Sequence, residues 1–255
     1  MKTKSFFASW QSRSLQILCA LVAISQPLQA VDAENHSMEE GTTRLQKIHS
    51  ELRLVHGSFE DEYPEQLMTA RYLPSDAKVL ELGGNMGRNS CVIASILQDS
   101  KNLVVLESDK SSAECLRRNR DCNGFQFHVE ASALSKIPLV QSGWDTMPSA
   151  VDVPGCFRVD TITFDEVQKK YGIVFDTMVV DCEGALYYIL RDDPEILKNI
   201  NLLIIENDYL NRSHFDYVLD VFKKNGFHLV YNEHLTINNR ALDSVRTEFY
   251  QVWKK

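Results

Sequence analysis

An α/β fold is predicted for this chain: a doubly wound, mostly parallel sheet that closes on a final antiparallel strand and is preceded by N-terminal helices. Two observations carry that expectation. From residue 77 onward, strand-like and helix-like segments alternate, the order that builds a layered sheet with right-handed crossovers. Segments such as "TMVVD" (177–181) and "LLIIE" (202–206) are unbroken apolar runs ending in an acid, as expected of strands covered by helices on both faces.

Each element follows from its local pattern. Leu45, Ile48, Leu52 and Val55 recur at helical spacing, and Leu67, Met68 and Tyr72 continue it after Pro64, so two helices precede the first strand. "AKVLELG" is then a strand, 89–98 a helix, "NLVVLES" a strand, 111–122 a helix and "FQFHVE" a strand. Pro138, Gly143, Pro148, Pro154 and Gly155 predict loops with a short hairpin. Helix 164–171, strand "FDTMVVDCEG", helix 185–190, strand "NLLIIEND", helix 214–225, strand "FHLVYN" and a last strand near "TEFYQVW" complete the order.

With 255 residues, 44% of them hydrophobic, the chain can bury a sizeable core as one domain. The expected division is a leader over 1–30, a helical extension over 31–73 and the main domain over 74–255. The leader carries Lys2, Lys4 and Arg13 and no acid, then the apolar run "LQILCALVAI", then Pro27 and Ala30. That is the order of a secretory signal, with cleavage after Ala30 or Ala33. The run is short for a bilayer span, which needs ~20 apolar residues; a signal anchor and an organelle transit peptide are the alternatives. Membrane contact is expected only if the leader stays attached. Asn35-His36-Ser37 and Asn211-Arg212-Ser213 match the glycosylation pattern.

Without the leader, 24 Lys and Arg face 35 Asp and Glu, a net charge of −11 where the whole chain has −8. Binding phosphates requires a basic footprint, so nucleic acid is disfavoured as a partner. Cys91, Cys115, Cys122, Cys156 and Cys182 follow the leader with no CxxC and no histidine spacing of a zinc site. They are expected to be free thiols.

In a doubly wound sheet, ligands bind beyond the carboxyl ends of the strands. Here those ends are acidic: Glu81 with the turn "GGNMG", Glu107-Ser108-Asp109, Asp181-Cys182-Glu183, and Glu206-Asn207-Asp208. A glycine turn between strand and helix lets backbone approach a ligand, and the helix amino end favours an anionic group. A dinucleotide fingerprint is disfavoured, because Asn85 and Arg88 stand where its second and third glycines would fall. An acid followed by Gly83 and Gly87 is instead the spacing with which S-adenosylmethionine methyltransferases admit their cofactor. Glu107 can accept two hydrogen bonds from ribose hydroxyls.

The segments "ELGGNMGRNS", "LVVLESD", "EASALSK" and "VDTITFDEVQKKYGIVFDTMVVDCEGALYYIL" resemble the FkbM-type methyltransferases, from about residue 79 to about 230. The block Asp181, Glu183, Gly184, Ala185 is the most specific part of the match. Glu81 and Gly84 depart from the commoner aspartate and alanine, and Asn207 and Asp208 follow Glu206 where a histidine is often found nearby. The resemblance implies a Rossmann-like class I methyltransferase that uses S-adenosyl-L-methionine and methylates a hydroxyl on a sugar, glycan or small molecule. It implies cofactor contacts at Glu81, Gly83, Gly84, Asn85, Gly87, Glu107, Ser108, Ala133 and Asp181. It further implies that Asp181 serves the methionine end or orients the acceptor, and that Glu183 acts as base or holds the acceptor. Capping of the following helix is the structural alternative for Glu183.

A catechol-type arrangement is the metal-assisted alternative, with Asp181, Glu206 and Asn207 as oxygen ligands. A non-catalytic relative is another, although Gly83, Gly87 and Glu107 are all present. His128 and His228 are expected to be packed within strands, and His234 to lie in a loop near the strand ends. Trp144, in the 143–155 loop, is a candidate to cover the acceptor, with ordinary packing as the alternative.

Overall fold

The computed structural model describes residues 39–236 and 241–255; the expected leader and the 31–38 part of the extension lie outside them. The chain begins with helix α1 (39–51) and α2 (Tyr63–Tyr72). β1 (Val79–Leu82), α3 (Arg88–Ile96), β2 (Leu103–Leu106), α4 (Lys110–Cys122) and β3 (His128–Glu130) form the first half of the sheet. An insertion follows: β4 (Ala133–Leu134), β5 (Leu139–Ser142), β6 (Asp145–Pro148), β7 (Phe157–Val159) and β8 (Thr161–Ile162). The second half comprises α5 (Phe164–Tyr171), β9 (Thr177–Val180), α6 (Leu186–Asp192), β10 (Leu202–Glu206), α7 (Arg212–Lys224), β11 (His228–Glu233), α8 (Asp243–Arg246) and β12 (Tyr250–Lys254).

Among the described residues, seven strands make one sheet in the order β11-β12-β10-β9-β1-β2-β3. β12 runs antiparallel to both β10 and β11, and the remaining pairs are parallel. The expected fold class is therefore the observed one. β1 lies between β2 and β9, with Leu82 in register with Leu106 on one side and Val180 on the other. The crossovers leave β1 in opposite directions, so the crevice of the fold opens beyond Leu82 and Val180.

Alternation along the strands divides the core into two layers. Val79, Leu103, Val105, Val179, Leu202 and Ile204 pack with α1 to α4, joined by Leu45, Met68 and Ile93. Leu80, Leu82, Val104, Met178, Val180, Leu203 and Ile205 pack with α5 to α7, joined by Phe175, Phe215 and Phe222. Among the described residues no helix is long and apolar enough to cross a membrane.

Side-chain caps account for two helix starts. Asp109 accepts from the Ser112 N–H at 2.7 Å and Asn211 from the Ser213 N–H at 2.9 Å, so α4 and α7 begin earlier than apolar periodicity alone predicts. Val55, expected on a helical apolar face, lies beyond α1 and is 51% exposed. The 138–155 stretch is more ordered than loops with one hairpin: β5 pairs antiparallel with both β6 and β7, and β4 pairs parallel with β8. All five cysteines among the described residues are free thiols. His128 is half-buried against the Tyr171 ring at 4.3 Å, whereas His228 is exposed on β11 rather than packed.

Candidate active site

The turn after β1 is held in the left-handed region at Gly83, Asn85 and Gly87, with φ of 85°, 46° and 87°. A Cβ on Gly83 would sit 1.6 Å from the Asp181 carbonyl oxygen, so at the crevice two strand ends meet backbone to backbone. Gly84 is pressed by Val105 Cγ1 and Leu116 Cδ1, which its Cβ would meet at 2.2 and 2.7 Å, and Gly87 by Leu116 Cγ at 2.9 Å. The latter two glycines thus serve close packing of the turn on β2 and α4.

A cavity of about 330 Å³ opens at this point, within the range of small-molecule sites. Gly83, Asn85, Glu107, Ser108, Ala133, Asp181 and Glu183 all line it, contributed by the ends of β1, β2 and β9 and by the insertion. Glu81, Gly84 and Gly87 do not line it. Glu81 shares the parity of Val79 and points to the α2 and α3 side of the sheet, where it is 3% exposed and lines a smaller void. There burial pushes its carboxyl up to about 8.

Glu107 is pre-oriented by the turn. Its Oε2 accepts the Asn85 N–H and its Oε1 the Asp109 N–H, each at 2.7 Å. Burial raises its pKa, while these two donors act in the opposite sense. A carboxylate oxygen has two acceptor positions, so each keeps one for a ligand hydroxyl.

The N-terminal helices supply residues that sequence reasoning missed. Glu62 lines the cavity, accepts from Asn85 Nδ2 at 3.1 Å and pairs with Arg88 at 3.2 Å. Burial raises its pKa against the pull of Arg88. The acidic run before Pro64 was the available signal, but acids at a helix start have a sufficient local reason.

Behind the turn, fully buried Asn119 uses its whole side-chain amide. Its Oδ1 accepts from the Val55 and His56 N–H groups at 2.7 and 3.1 Å, and its Nδ2 donates to the His56 and Met86 carbonyls at 2.9 and 2.8 Å. It therefore ties the segment after α1 to the glycine turn. Asn119→Ala is expected to leave several of these groups unpaired and to destabilise the chain by ~2–4 kcal/mol. Chemical denaturation checks this, and a change below ~0.5 kcal/mol would refute the tie.

Opposite Glu107 lies an acidic end. Glu65 of α2, Asp181 after β9 and Glu206 ending β10 place one carboxylate oxygen each within 4.8 Å of one another. Burial drives the Glu65 carboxyl well above the ordinary range, with Glu206 adding to it. Asp181 is raised by burial and then by Glu206, Glu62, Glu183 and Asp208. Asn207 Nδ2 donates to the Glu248 carbonyl and to Gln251 Oε1 at 2.9 and 3.2 Å, while its buried Oδ1 has no hydrogen-bond partner. Glu206 ends β10 and Asn207 follows it, its N–H still donating to the Phe249 carbonyl at 2.8 Å, so the two side chains leave opposite faces of the sheet.

Glu183 takes φ 54° without being glycine, a conformation that concentrates at functional loops. The N-cap position of the next helix is Ala185, two residues further on. Trp144 sits at the β5 to β6 turn, lines the cavity and is still 56% exposed. No histidine among the described residues lines the cavity. His234 is exposed, and His214 stacks on Tyr187 with ring centroids 3.6 Å apart.

No protein-family model and no curated protein matches the sequence. The chain is similar to several solved structures. A protein of the NADB-Rossmann superfamily from Streptococcus agalactiae is 14% identical, with a TM-score of 0.48 over 79% of this chain and 69% of that one. The ribosomal protein L11 methylase of Lactobacillus delbrueckii subsp. bulgaricus is 12% identical, with a TM-score of 0.47 over 78% and 81%. Streptococcus pneumoniae Sp1610, in complex with S-adenosyl-L-methionine, is 12% identical, with a TM-score of 0.46 over 78% and 73%.

Proposed function

We propose that this chain is an S-adenosylmethionine-dependent O-methyltransferase of the class I type, acting on a hydroxyl of a sugar, glycan or small natural product as the FkbM-type resemblance implies. One observation carries the cofactor reading: Glu107 and Asp181, at the ends of the strands on either side of β1, line a single cavity at the crevice of the sheet. Glu107 suits ribose hydroxyls. Asp181 places one carboxylate oxygen beside Glu65 and Glu206 and has its other for the ammonium group of the same molecule.

S-adenosylmethionine bound there supplies an electrophilic methyl group on sulfur. The chain's own residues then hold the acceptor oxygen in line with that methyl, which is worth several orders of magnitude in rate. Glu183 would receive the hydroxyl proton at a carboxylate oxygen, while the carbon–sulfur electron pair would stay with sulfur and leave as S-adenosylhomocysteine. Tyr188 and Trp144 line the cavity, and we assign them to the acceptor side.

Isothermal titration with S-adenosylhomocysteine tests the cofactor reading: micromolar binding is expected, and a folded chain that binds none would refute it. Glu183→Gln is expected to keep that affinity while lowering turnover by ~10²–10⁴, the usual contribution of a positioned base. Equal turnover in the variant would remove Glu183 from that role.

A further inference from the structure

We propose that Glu65, Asp181 and Glu206 form a binding site for a hard divalent cation that joins α2 to the ends of β9 and β10. The three donors come from separate elements, yet their oxygens lie within 4.8 Å of one another. None of the ion pairs formed among the described residues involves them; Arg88, which pairs with Asp61 and Glu62, is taken elsewhere. A second observation points to a ligand at the same place. Beside the three carboxylates is a void of about 10 Å³, about the room one water or ion requires. Asn89 and Glu81 also line it, and Asn89 Oδ1 and Glu81 Oε2 have no hydrogen-bond partner although these residues are 7% and 3% exposed. Buried oxygens of this kind are normally satisfied.

The donor set consists of oxygens only, which selects magnesium, calcium or manganese over zinc or copper. It also differs from a catechol-type site, because the third ligand comes from the N-terminal helix and Asn207 is turned away. The cation would therefore fasten the extension to the sheet beneath the cavity. It does not depend on the proposed cofactor, and the alternative occupant is a proton shared between Glu65 and Glu206.

The test is a titration of the full chain, stripped with chelator and free of cofactor, with Mg²⁺, Ca²⁺ and Mn²⁺ in turn and K⁺ as control. Calorimetric heat and the thermal unfolding midpoint are the readouts. One cation per chain is expected, with the midpoint raised by about 5–10 °C at a concentration one hundred times the Kd. Mn²⁺ bound to the chain should give an altered electron paramagnetic resonance spectrum, lost on adding chelator. Glu65→Gln, with its fold checked by circular dichroism, should weaken binding by about tenfold or more. Two results would overturn the proposal: no heat and no midpoint shift in the wild-type chain up to about 10 mM of any of the three ions, or unchanged affinity in folded E65Q. The wild-type titration decides alone should E65Q not fold. Titration with S-adenosylhomocysteine separates this outcome from failure of the methyltransferase reading.

Discussion

Gly83→Ala is expected to lower stability by ~3–5 kcal/mol or more, enough to threaten folding of a domain whose total is ~5–15 kcal/mol. The new Cβ would be 1.6 Å from the Asp181 carbonyl oxygen. That oxygen belongs to backbone that cannot swing aside. The Asp181 N–H already donates to the Leu82 carbonyl at 2.9 Å, and β1 and β9 are paired in register up to Leu82 and Val180. Relief would require the two central strands to part at the cavity floor. The φ of 85° adds the cost of a left-handed alanine. Gly172→Ala is the control, with φ 68° and no atom within 4 Å of the added Cβ; there only the conformational cost of ~1–2 kcal/mol applies. Denaturant titration of both variants checks the contrast, and equal losses would show that the contact with Asp181 is not what demands glycine.

Glu107→Gln is expected to weaken S-adenosylhomocysteine binding by ~10²-fold, the scale of losing hydrogen bonds to a charged acceptor. The substitution preserves shape but turns one oxygen into an NH₂ group. That group must face either the Asn85 or the Asp109 N–H, both of which now donate to Glu107 at 2.7 Å. The turn and the ribose contact are lost together. Calorimetry on folded E107Q measures the effect, and wild-type affinity would remove Glu107 from the ribose. E107Q should thus be impaired in binding and E183Q in turnover.

The glycines of "GGNMG" illustrate how far local reading reaches. Their spacing marks a constrained turn, but residue types cannot say what constrains it. Tertiary contacts assign Gly83 to the Asp181 backbone and Gly84 and Gly87 to Val105 and Leu116. Glu107 was legible because a strand-end acid a fixed distance from a glycine turn has a known geometric consequence. Glu62 and Glu65 were hidden because they lie at the start of a helix distant in sequence, where acids before and after a proline look like ordinary helix-start residues.

The fold class and the acidic strand ends were thus readable from the chain itself. Continuous apolar runs and alternating periodicities are local properties, and they force strands to be covered on both faces. Which carboxylates share a pocket was decided only in three dimensions. Glu206 and Asn207 are neighbours in the chain, but strand parity sends one toward Asp181 and the other toward Gln251. Glu65 reaches the same point because α2 packs across the sheet beside α3, β10 and β12, a long-range packing choice that leaves no periodic signature in the residues that make it.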